Sequence, residues 1–483
     1  MKRIRWTDHL SINLFWLGLN IRNTALGSVF MPYLVDVFVR PEIRNTALGS
    51  MRTAGLIVAM LVQPAMGLLS DRSTSRFGRR RPFLFVGVLF DLVFLVAVGL
   101  AGGYWALFAA VLLLQISSNV SHGPLQGLIP DRVPEDQRGR SSAVKAIFEL
   151  LPLILVAFTV AKLVAAQQIG LAMAVTGGSL LVTMLLTVIF VREEPLREKP
   201  SGSLREPMLR VLGMLGGILA GGAAGLLAGG VGGGLVGLVT WPLAGARVAQ
   251  IVGVGVGGLV AMVVAVGVGV WAGARATLGA DARRQRSFTW WIVNRLLFLA
   301  AVTSIQGFAP YFLMSAFSLT REAAIDLNAS LLMVVGLFTV AAALPGGWLA
   351  DRFGSRRLVG VSGIVATVGT LILLVTVFVP NLPLMYVAGT IIGIGAGLFM
   401  TTNWALGTEL APRAESGRYL GISNLAGAGA GMIGAGIGGP VADWISAQQP
   451  GLGYFAIFAC YAVLFLLSTL SLTRVRGERA QGA

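Results

Sequence analysis

The sequence predicts an all-α, polytopic membrane protein made of two homologous six-helix halves with two extra helices between them. Three observations carry this prediction: the composition, the distribution of cations and an internal repeat. Hydrophobic residues make up 55% of the 483 residues and charged residues only 12%, whereas a soluble globular chain is about 25% charged. A soluble fold is therefore excluded, and each long apolar run is expected to be a helix, because irregular backbone is too costly in lipid.

About fourteen apolar runs are long enough to cross the hydrocarbon core, which takes about 20 helical residues. Their approximate bounds are 11–38, 53–70, 82–102, 105–129, 142–165, 170–191, 209–239, 247–273, 288–317, 328–349, 358–379, 384–407, 420–446 and 452–473. Polar residues interrupt the first run and no small-residue cleavage site follows it, so we interpret it as a span and not as a removed signal peptide.

The cations fall in alternate loops. Of the 37 Lys and Arg residues, 29 lie on one side of the predicted topology, and cations near span ends stay on the cytoplasmic side. Both termini are therefore predicted to be cytoplasmic, in a multi-pass protein of the cell inner (cytoplasmic) membrane. Because topology accounts for the formal net charge of +16, we expect the lipid bilayer and no nucleic acid as a partner.

Two cytoplasmic loops repeat one motif. Gly67-x-x-x-Asp71-Arg72 leads to Phe77-Gly78-Arg79-Arg80-Arg81, and Gly347-x-x-x-Asp351-Arg352 leads to Phe353-Gly354-Ser355-Arg356-Arg357. The segments 131–140 and 409–418 form a second repeated pair at a constant offset. The chain is therefore predicted to consist of an N-terminal half, 1–204, an inserted segment, 205–285, and a C-terminal half, 286–483. Paired halves with matched loops are typical of secondary transporters.

The repeated loops are predicted to form a cytoplasmic gate. An acid flanked by arginines at a helix end can pair when that side is closed and separate when it opens; the alternative is that the cations only anchor the topology. The residues of this predicted gate are Asp71, Arg72, Arg79, Arg80, Asp131, Arg140, Asp351, Arg352, Arg356, Glu409 and Arg418.

The inserted segment is a glycine-rich transmembrane hairpin. Its first helix carries glycine at every fourth position from 213 to 237, and Trp241-Pro242 lies in the turn before the second helix. Such a stripe lets another backbone approach closely and pack by van der Waals contact. We expect a peripheral packed hairpin, with a docked partner helix or lipid as the alternative.

Ionisable residues inside spans are functional candidates by default. Five stand out as candidates for proton coupling and charge balance: Arg22, Asp91, His122, Glu149 and Arg295. Counted from the predicted cytoplasmic ends, His122, Glu149 and Arg295 lie at about one depth and Arg22 slightly deeper, which is compatible with a single buried cluster in which Glu149 balances one or both arginines. The alternatives are that His122 is a packing residue and that Asp91 faces a neighbouring helix. For Glu149 the alternative is a local pair with Lys145, four residues away.

Polar and aromatic side chains on one helix face indicate a small-molecule site. Amides supply paired donors and acceptors, and a Trp face stacks on the apolar side of a pyranose ring. Polar residues also join helices together, which is the alternative at each position. The predicted substrate contacts are Trp16, Asn20, Asn23, Asn119, Gln306 and Asn403.

Enzymatic chemistry finds no support in the sequence. The chain has one cysteine and two histidines, and it lacks a phosphate loop, a nucleotide fingerprint and a nucleophile triad. We therefore predict no cofactor, no metal and no enzyme. Residues 21–28 and 43–50 are the same eight residues, Ile-Arg-Asn-Thr-Ala-Leu-Gly-Ser, a duplication for which the sequence offers no physical account.

With the two Asp-Arg loops and the 6+6 arrangement, the chain resembles the major facilitator superfamily. More narrowly, the segment from Met60 to Phe83, with Gly123-Pro124 through Pro130-Asp131, is similar to the glycoside-pentoside-hexuronide branch and its sucrose-type transporters. The resemblance covers both halves loosely and leaves the glycine-rich hairpin outside.

This resemblance implies symport of a sugar or glycoside by alternating access, with the substrate between the halves. Gln126, Gln63 and Asn23 stand where relatives carry a charged residue, which disfavours the sodium mode and leaves a proton mode with Glu149 or Asp91 as its carboxylate. The alternatives are an exporter or facilitator of another small solute, and a non-transporting membrane assembly or sensor protein.

Overall fold

The computed structural model describes residues 4–134, 137–191, 193, 205–279, 285–410 and 416–475. In these ranges the regular elements are helices, in agreement with the predicted fold class. Their bounds are α1 Trp6–Ala25, a π-helical turn Leu26–Phe30, α2 Met31–Phe38, a 3-10 turn Pro41–Ile43, α3 Arg44–Asp71, α4 Arg81–Gly99, α5 Tyr104–Gln126, α6 Leu128–Arg132, α7 Arg138–Phe158, α8 Val160–Ala165, α9 Ile169–Phe190, α10 Arg205–Leu278, α11 Arg286–Phe317, α12 Arg321–Phe353, α13 Ser355–Phe378, α14 Leu382–Leu410, α15 Ser416–Gln448, α16 Leu452–Ser471 and a 3-10 turn Leu472–Arg474.

Eleven helical stretches of the described chain are long and apolar enough to cross a membrane. The stretch Met208–Thr277 counts once, although it contains two of the predicted spans. The runs 11–38 and 420–446 are helical but are not among the eleven. The chain is therefore a multi-pass membrane protein, while the exact number of fourteen spans and the cytoplasmic position of both termini stay predictions.

The glycine-rich segment forms a helical hairpin. Helix α10 reverses direction at Gly245, whose φ of 81° and ψ of 166° lie outside the helical region; this positive φ favours glycine. Because the two arms are antiparallel, a Cβ on Gly229 would collide with the carbonyl oxygen of Gly257, and one on Gly217 would collide with the backbone of Gly273. The glycine stripe thus packs against the second arm of its own hairpin, as expected for close backbone approach.

Two compact units are distinguished by their internal contacts. The first comprises Met1–Phe38 and Ala54–Val211, and the second comprises Val39–Thr53 and Leu212–Ala483. Helix α3 is continuous, yet its first ten residues belong to the second unit and its remainder to the first.

In the first unit, α1 packs against α7 and α9, and α4 packs against α5 and α9. Their apolar faces meet in a core that includes Phe15, Trp16, Leu84, Leu125 and Leu180. Burial of this surface brings together the helix faces that carry the polar groups described below.

In the second unit, α11 packs against α15 and α16, and α14 packs against α12 and α13. Among the eleven membrane-capable stretches, α11 is the most buried, with 78% of its most apolar part inside. Phe298 of α11 stacks on Phe399 of α14 with ring centroids 3.6 Å apart. Helix α11 therefore forms the centre of the second unit.

Candidate functional site

A buried ion pair joins α1 to α4 in the first unit. Arg22 donates from Nε to Asp91 Oδ2 at 3.1 Å and from Nη2 to Asp91 Oδ1 at 2.8 Å. The two side chains are 1% and 2% exposed. A bidentate guanidinium–carboxylate pair is the strongest form of this interaction, and each member compensates the buried charge of the other.

Helix α5 completes the surroundings of this pair. Arg22 Nη2 also donates to the carbonyl oxygen of Leu114 at 2.9 Å, and Ser117 Oγ donates to Asp91 Oδ1 at 2.9 Å. Sequence reasoning missed Ser117; the available signal was a hydroxyl side chain within an apolar run. The carboxylate that balances Arg22 is thus Asp91 and not Glu149.

Glu149 forms the local alternative. Its Oε1 lies 3.3 Å from Lys145 Nζ one helical turn away, and its side chain is 35% exposed. Lys145 Nζ also lies 4.1 Å from the centre of the Trp16 ring. The predicted cluster of Glu149 with buried arginines is therefore not what the first unit contains, because Asp91 on α4 already occupies the guanidinium of Arg22.

The polar stripe of α1 is engaged within the first unit. Asn23 Oδ1 accepts a hydrogen bond of 2.7 Å from Arg22 Nη1, so Asn23 is linked to the ion pair. Asn20 Nδ2 donates to the carbonyl oxygen of Trp16 at 2.8 Å. Trp16 itself is 3% exposed, and His122 packs edge-on against its ring at 5.3 Å between centroids. Both Trp16 and His122 are therefore packing partners here.

Asn119 and Gln306 occupy different surroundings. Asn119 is 4% exposed and donates from Nδ2 to the carbonyl oxygen of Gln115 at 2.7 Å, within its own helix. Gln306 on α11 is half-buried.

A second polar cluster lies inside the second unit. Arg295 donates from Nη1 to Asn403 Oδ1 at 2.9 Å, and Asn403 Nδ2 donates to Asn294 Oδ1 at 2.8 Å. Asn294 Nδ2 in turn donates to the hydroxyl and the carbonyl of Ser468 at 2.8 Å each. Sequence reasoning missed Asn294 and Ser468; an amide next to Arg295 in an apolar run was the signal. The cluster connects α11, α14 and α16.

The predicted gate residues of the first unit converge on Arg80, which is 4% exposed. Its guanidinium pairs with Asp71 and with Asp131, the latter through Nε at 3.0 Å. Arg79 also pairs with Asp131. Glu193, which sequence reasoning missed, accepts from the main-chain nitrogen of Arg80 at 2.7 Å. This network ties the loop between α3 and α4 to α6.

The matching loop of the second unit has the neutral Ser355 where the first loop has Arg79. Gly78 and Gly354 both have positive φ, at 106° and 90°. The residue after each glycine contacts the acid of the second repeated segment, and at this point Ser355 Oγ donates to Glu409 Oε1 at 2.6 Å. Arg352 stacks on the Trp348 ring, with its guanidinium carbon 5.7 Å from the ring centre.

Of the remaining predicted gate residues, Arg140 and Arg356 are exposed, and Arg72 is half-buried. The side chains of Asp351 and Arg418 lie outside the described part of the structure. Within the described residues, no group of three or more His, Cys, Asp and Glu side chains could hold a metal ion.

Membrane-capable helices, repeated loops and a buried intramembrane ion pair are features typical of membrane transport proteins. The profile described as "MFS/sugar transport protein" matches residues 14–280, and the profile of the Major Facilitator Superfamily matches residues 291–482. The chain therefore belongs to the MFS/sugar transport family within the Major Facilitator Superfamily, which confirms the predicted resemblance.

Individual relatives match over shorter stretches. The chain is 31% identical over 112 residues to the sucrose transport protein SUC3 of Arabidopsis thaliana, covering 19% of each chain. It is 28% identical over 208 residues to the general alpha-glucoside permease of Schizosaccharomyces pombe, covering 38% of this chain and 37% of that protein. The chain thus spans well under half the length of these curated relatives.

The fold is shared with solved transporters. A crystal structure of a D-xylose-proton symporter covers 96% of both chains with a TM-score of 0.63 at 15% identity. At this identity the similarity concerns the fold alone.

Proposed function

We propose that this protein is a secondary active transporter that takes up a sugar or glycoside together with protons by alternating access. Membership of the MFS/sugar transport family supports the substrate class, as does the similarity to a sucrose transport protein and an alpha-glucoside permease. The protein is proposed to work in the cytoplasmic membrane with both termini inside. Its halves would be 1–204 and 286–483, joined by the hairpin 205–285.

The observation that carries the proton coupling is the Arg22–Asp91 pair. Both charges are almost fully buried, and an intramembrane pair of this kind is stable only while each charge compensates the other. When Asp91 takes up a proton, Arg22 loses its counter-charge and must find another acceptor. Protonation therefore changes which contacts are favourable around α1, α4 and α5.

Asn23 provides the proposed link between the proton and the sugar. Its Oδ1 accepts from the same guanidinium that holds Asp91. A sugar hydroxyl that replaces this contact would change the hydrogen bonding of Arg22 and hence its hold on Asp91. The proposed sugar contacts are Trp16, Asn20, Asn23, Asn119, Gln306 and Asn403.

The proposed cytoplasmic gate rests on the Arg80 network and the matching loop around Ser355. Contacts of this kind have two discrete arrangements, paired and released, as alternating access requires. The ion pair of Arg79 with Asp131 in the first unit and the hydrogen bond of Ser355 with Glu409 in the second support unequal contributions of the two loops to closure.

The test is uptake into proteoliposomes across a panel of mono- and disaccharides, with and without an inward proton gradient. Accumulation of a sugar that depends on the gradient is the expected result. Equilibration without accumulation would replace symport by facilitated diffusion. Absence of transport by monodisperse, folded protein across the whole panel would contradict the proposed substrate class.

A further inference from the structure

The second copy of the duplicated octapeptide forms the beginning of α3. In this copy Asn45 and Thr46 lie in the first helical turn, and both face Asp443 of α15. Asp443 Oδ1 accepts from Asn45 Nδ2 at 2.7 Å and from the Asn45 main-chain nitrogen at 3.3 Å. Its Oδ2 accepts from the Thr46 main-chain nitrogen at 2.6 Å. All three groups belong to the second unit.

These contacts supply hydrogen-bond acceptors for the main-chain N–H groups at the beginning of α3. The main-chain N–H groups of a first turn have no partner within their own helix. An ionised carboxylate at that end accepts these hydrogen bonds and complements the helix dipole. In the first copy of the octapeptide, Arg22 and Asn23 lie late in α1, where main-chain N–H groups already bond within the helix. The same eight residues therefore serve different purposes at the two places.

The first turns of α3 pack closely against the backbone of α15, so a small movement of α3 changes these contacts. A Cβ on Gly439 would collide with the carbonyl oxygen of Asn45, and a Cβ on Gly49 would collide with that of Ala435. Helix α15 and the segment 44–53 thus touch backbone to backbone at Gly439 and Ala435, one and two helical turns before Asp443. A shift of the first turn of α3 away from Asp443 separates both contacts together, which is the behaviour of a two-state element.

The side chains around Asp443 make their own contacts, and the described hydrogen bonds of Asp443 go to the first turn of α3. Asn45 Nδ2 also donates to Tyr454 Oη of α16 at 3.3 Å. Arg44 lies over the Tyr311 ring at 4.8 Å and donates to the Tyr311 carbonyl oxygen at 3.3 Å. The charged and titratable side chains that face this region are therefore Arg44 of α3 and Tyr454 of α16, with Arg52 further along α3 beside Tyr311.

We propose that ionised Asp443 latches the first turn of α3 onto α15, and that protonation of this carboxylate releases the turn. A protonated carboxyl group turns an O–H towards N–H donors that need an acceptor, so at least one of the three hydrogen bonds is lost. By the predicted topology the proton comes from the non-cytoplasmic side, because Asp443 lies near the α15 end opposite the repeated loops. A role of this Asp443 latch in transport rests on the proposed function, whereas the release of the turn on protonation does not depend on it.

Release of the turn is measured by thiol labelling in proteoliposomes. Cys460 is the chain's one cysteine, so Cys460→Ala gives a background in which Ala47→Cys, at a position 9% exposed, reports on the docked face. A membrane-impermeant maleimide is the probe. Rates are divided by those of Ser50→Cys, an exposed position on the same helix, which removes the effect of pH on the reagent.

Asp443→Asn is expected to raise the normalised labelling rate about fivefold, the scale of a lost helix cap. In the background chain, acidification from about pH 7 to about pH 4, which reaches the range where aspartate ordinarily titrates, raises the rate in the same direction, and in Asp443→Asn the rate no longer depends on pH. Asp36→Asn removes a carboxylate of α2 and is expected to leave the rate unchanged. Asn45→Ala, which removes one of the three donors, gives a smaller increase and serves if Asp443→Asn does not fold.

Two results would overturn the Asp443 latch: an unchanged rate in both Asp443→Asn and Asn45→Ala, or a response to pH that persists in Asp443→Asn. Labelling requires no sugar, so the two proposals can fail separately. If labelling responds as expected but no gradient-driven uptake is found, the proposed symport is contradicted and the Asp443 latch is not. If uptake is found but labelling does not respond, only the latch is contradicted.

Discussion

Ser355 donates a hydrogen bond of 2.6 Å to Glu409 at the place where the first unit has an ion pair between Arg79 and Asp131. In each loop a glycine with positive φ precedes the residue that contacts the acid. One loop is held by charge and the other by a neutral donor, which leads to different costs when the acid is neutralised.

Asp131→Asn is expected to lower stability more than Glu409→Gln. Asp131 accepts from both Arg79 and Arg80, and the loss of charged hydrogen bonds costs about 1–2 kcal/mol at this partly exposed site. Glu409 accepts from the neutral hydroxyl of Ser355, so its replacement costs less than about 1 kcal/mol. Thermal unfolding of the two variants in detergent measures the difference. Equal losses of stability would show that the contacts of Asp131 and Glu409 contribute equally to the stability of the protein.

Asp91→Asn is expected to reduce gradient-driven accumulation to the level of protein-free liposomes, because the amide cannot carry the coupled proton. Exchange of labelled sugar across equal concentrations is expected to persist. The matched control is Glu149→Gln, which is expected to keep coupling. Among the residues that the structure describes, the carboxylate of Glu149 forms a salt bridge with Lys145 alone. Lost coupling in Glu149→Gln together with intact coupling in Asp91→Asn would reverse the assignment.

Arg22→Ala is expected to destabilise the protein by about 3 kcal/mol, because it leaves a buried carboxylate without its counter-charge. The double variant Arg22→Ala with Asp91→Ala removes both charges and is expected to be more stable than Arg22→Ala alone. A thermodynamic cycle over the four proteins gives the coupling energy. Additive losses would mean that the two side chains act independently despite their contact.

His9 predicts a pH dependence of stability. Burial lowers the pKa of His9 below 6.5, the charge of Arg140 lowers it further and Asp8 acts in the opposite direction. The unfolded chain therefore binds this proton at a higher pH than the folded chain does. Stability from this group is complete above about pH 6.5 and falls as the pH drops through 6.5 towards the folded pKa.

The measurement is the midpoint of thermal unfolding as a function of pH for the parent chain and for His9→Leu. The imidazole is 2% exposed and, among the described residues, neither of its nitrogens has a hydrogen-bond partner, so leucine is expected to be tolerated. The variant should lose less stability on acidification than the parent. The same slope in both proteins would exclude His9 as the source.

Substitutions at two neighbouring glycines test whether the two arms of the hairpin are held by close backbone contact. Gly229→Leu places a side chain against the carbonyl of Gly257 and is expected to separate the arms and reduce stability, because overpacking costs about 1–3 kcal/mol. Gly230→Leu enters open space and is expected to be tolerated. Unfolding midpoints of the two variants compare the positions. Equal tolerance would show that the arms are not held by close backbone contact.

Much of the architecture follows from local properties of the chain. Apolar length predicts spanning helices, and the four-residue spacing of glycine predicts close packing of the inserted segment, because both depend on helix geometry alone. The repeated loops and the intramembrane ionisable residues are likewise visible without coordinates. These signals were sufficient to predict the helical membrane fold and to select Arg22 and Asp91 as candidates.

Only the tertiary structure decides which partners meet. Arg22 and Asp91 are 69 residues apart, and Asn45 and Asp443 are 398 residues apart. Depth along a span can be counted from the sequence, but the direction in which each helix face points depends on how the helices pack. For that reason the sequence suggested Glu149 as the partner of the buried arginines while Asp91 makes the contact with Arg22, and the duplicated octapeptide has two roles in two surroundings.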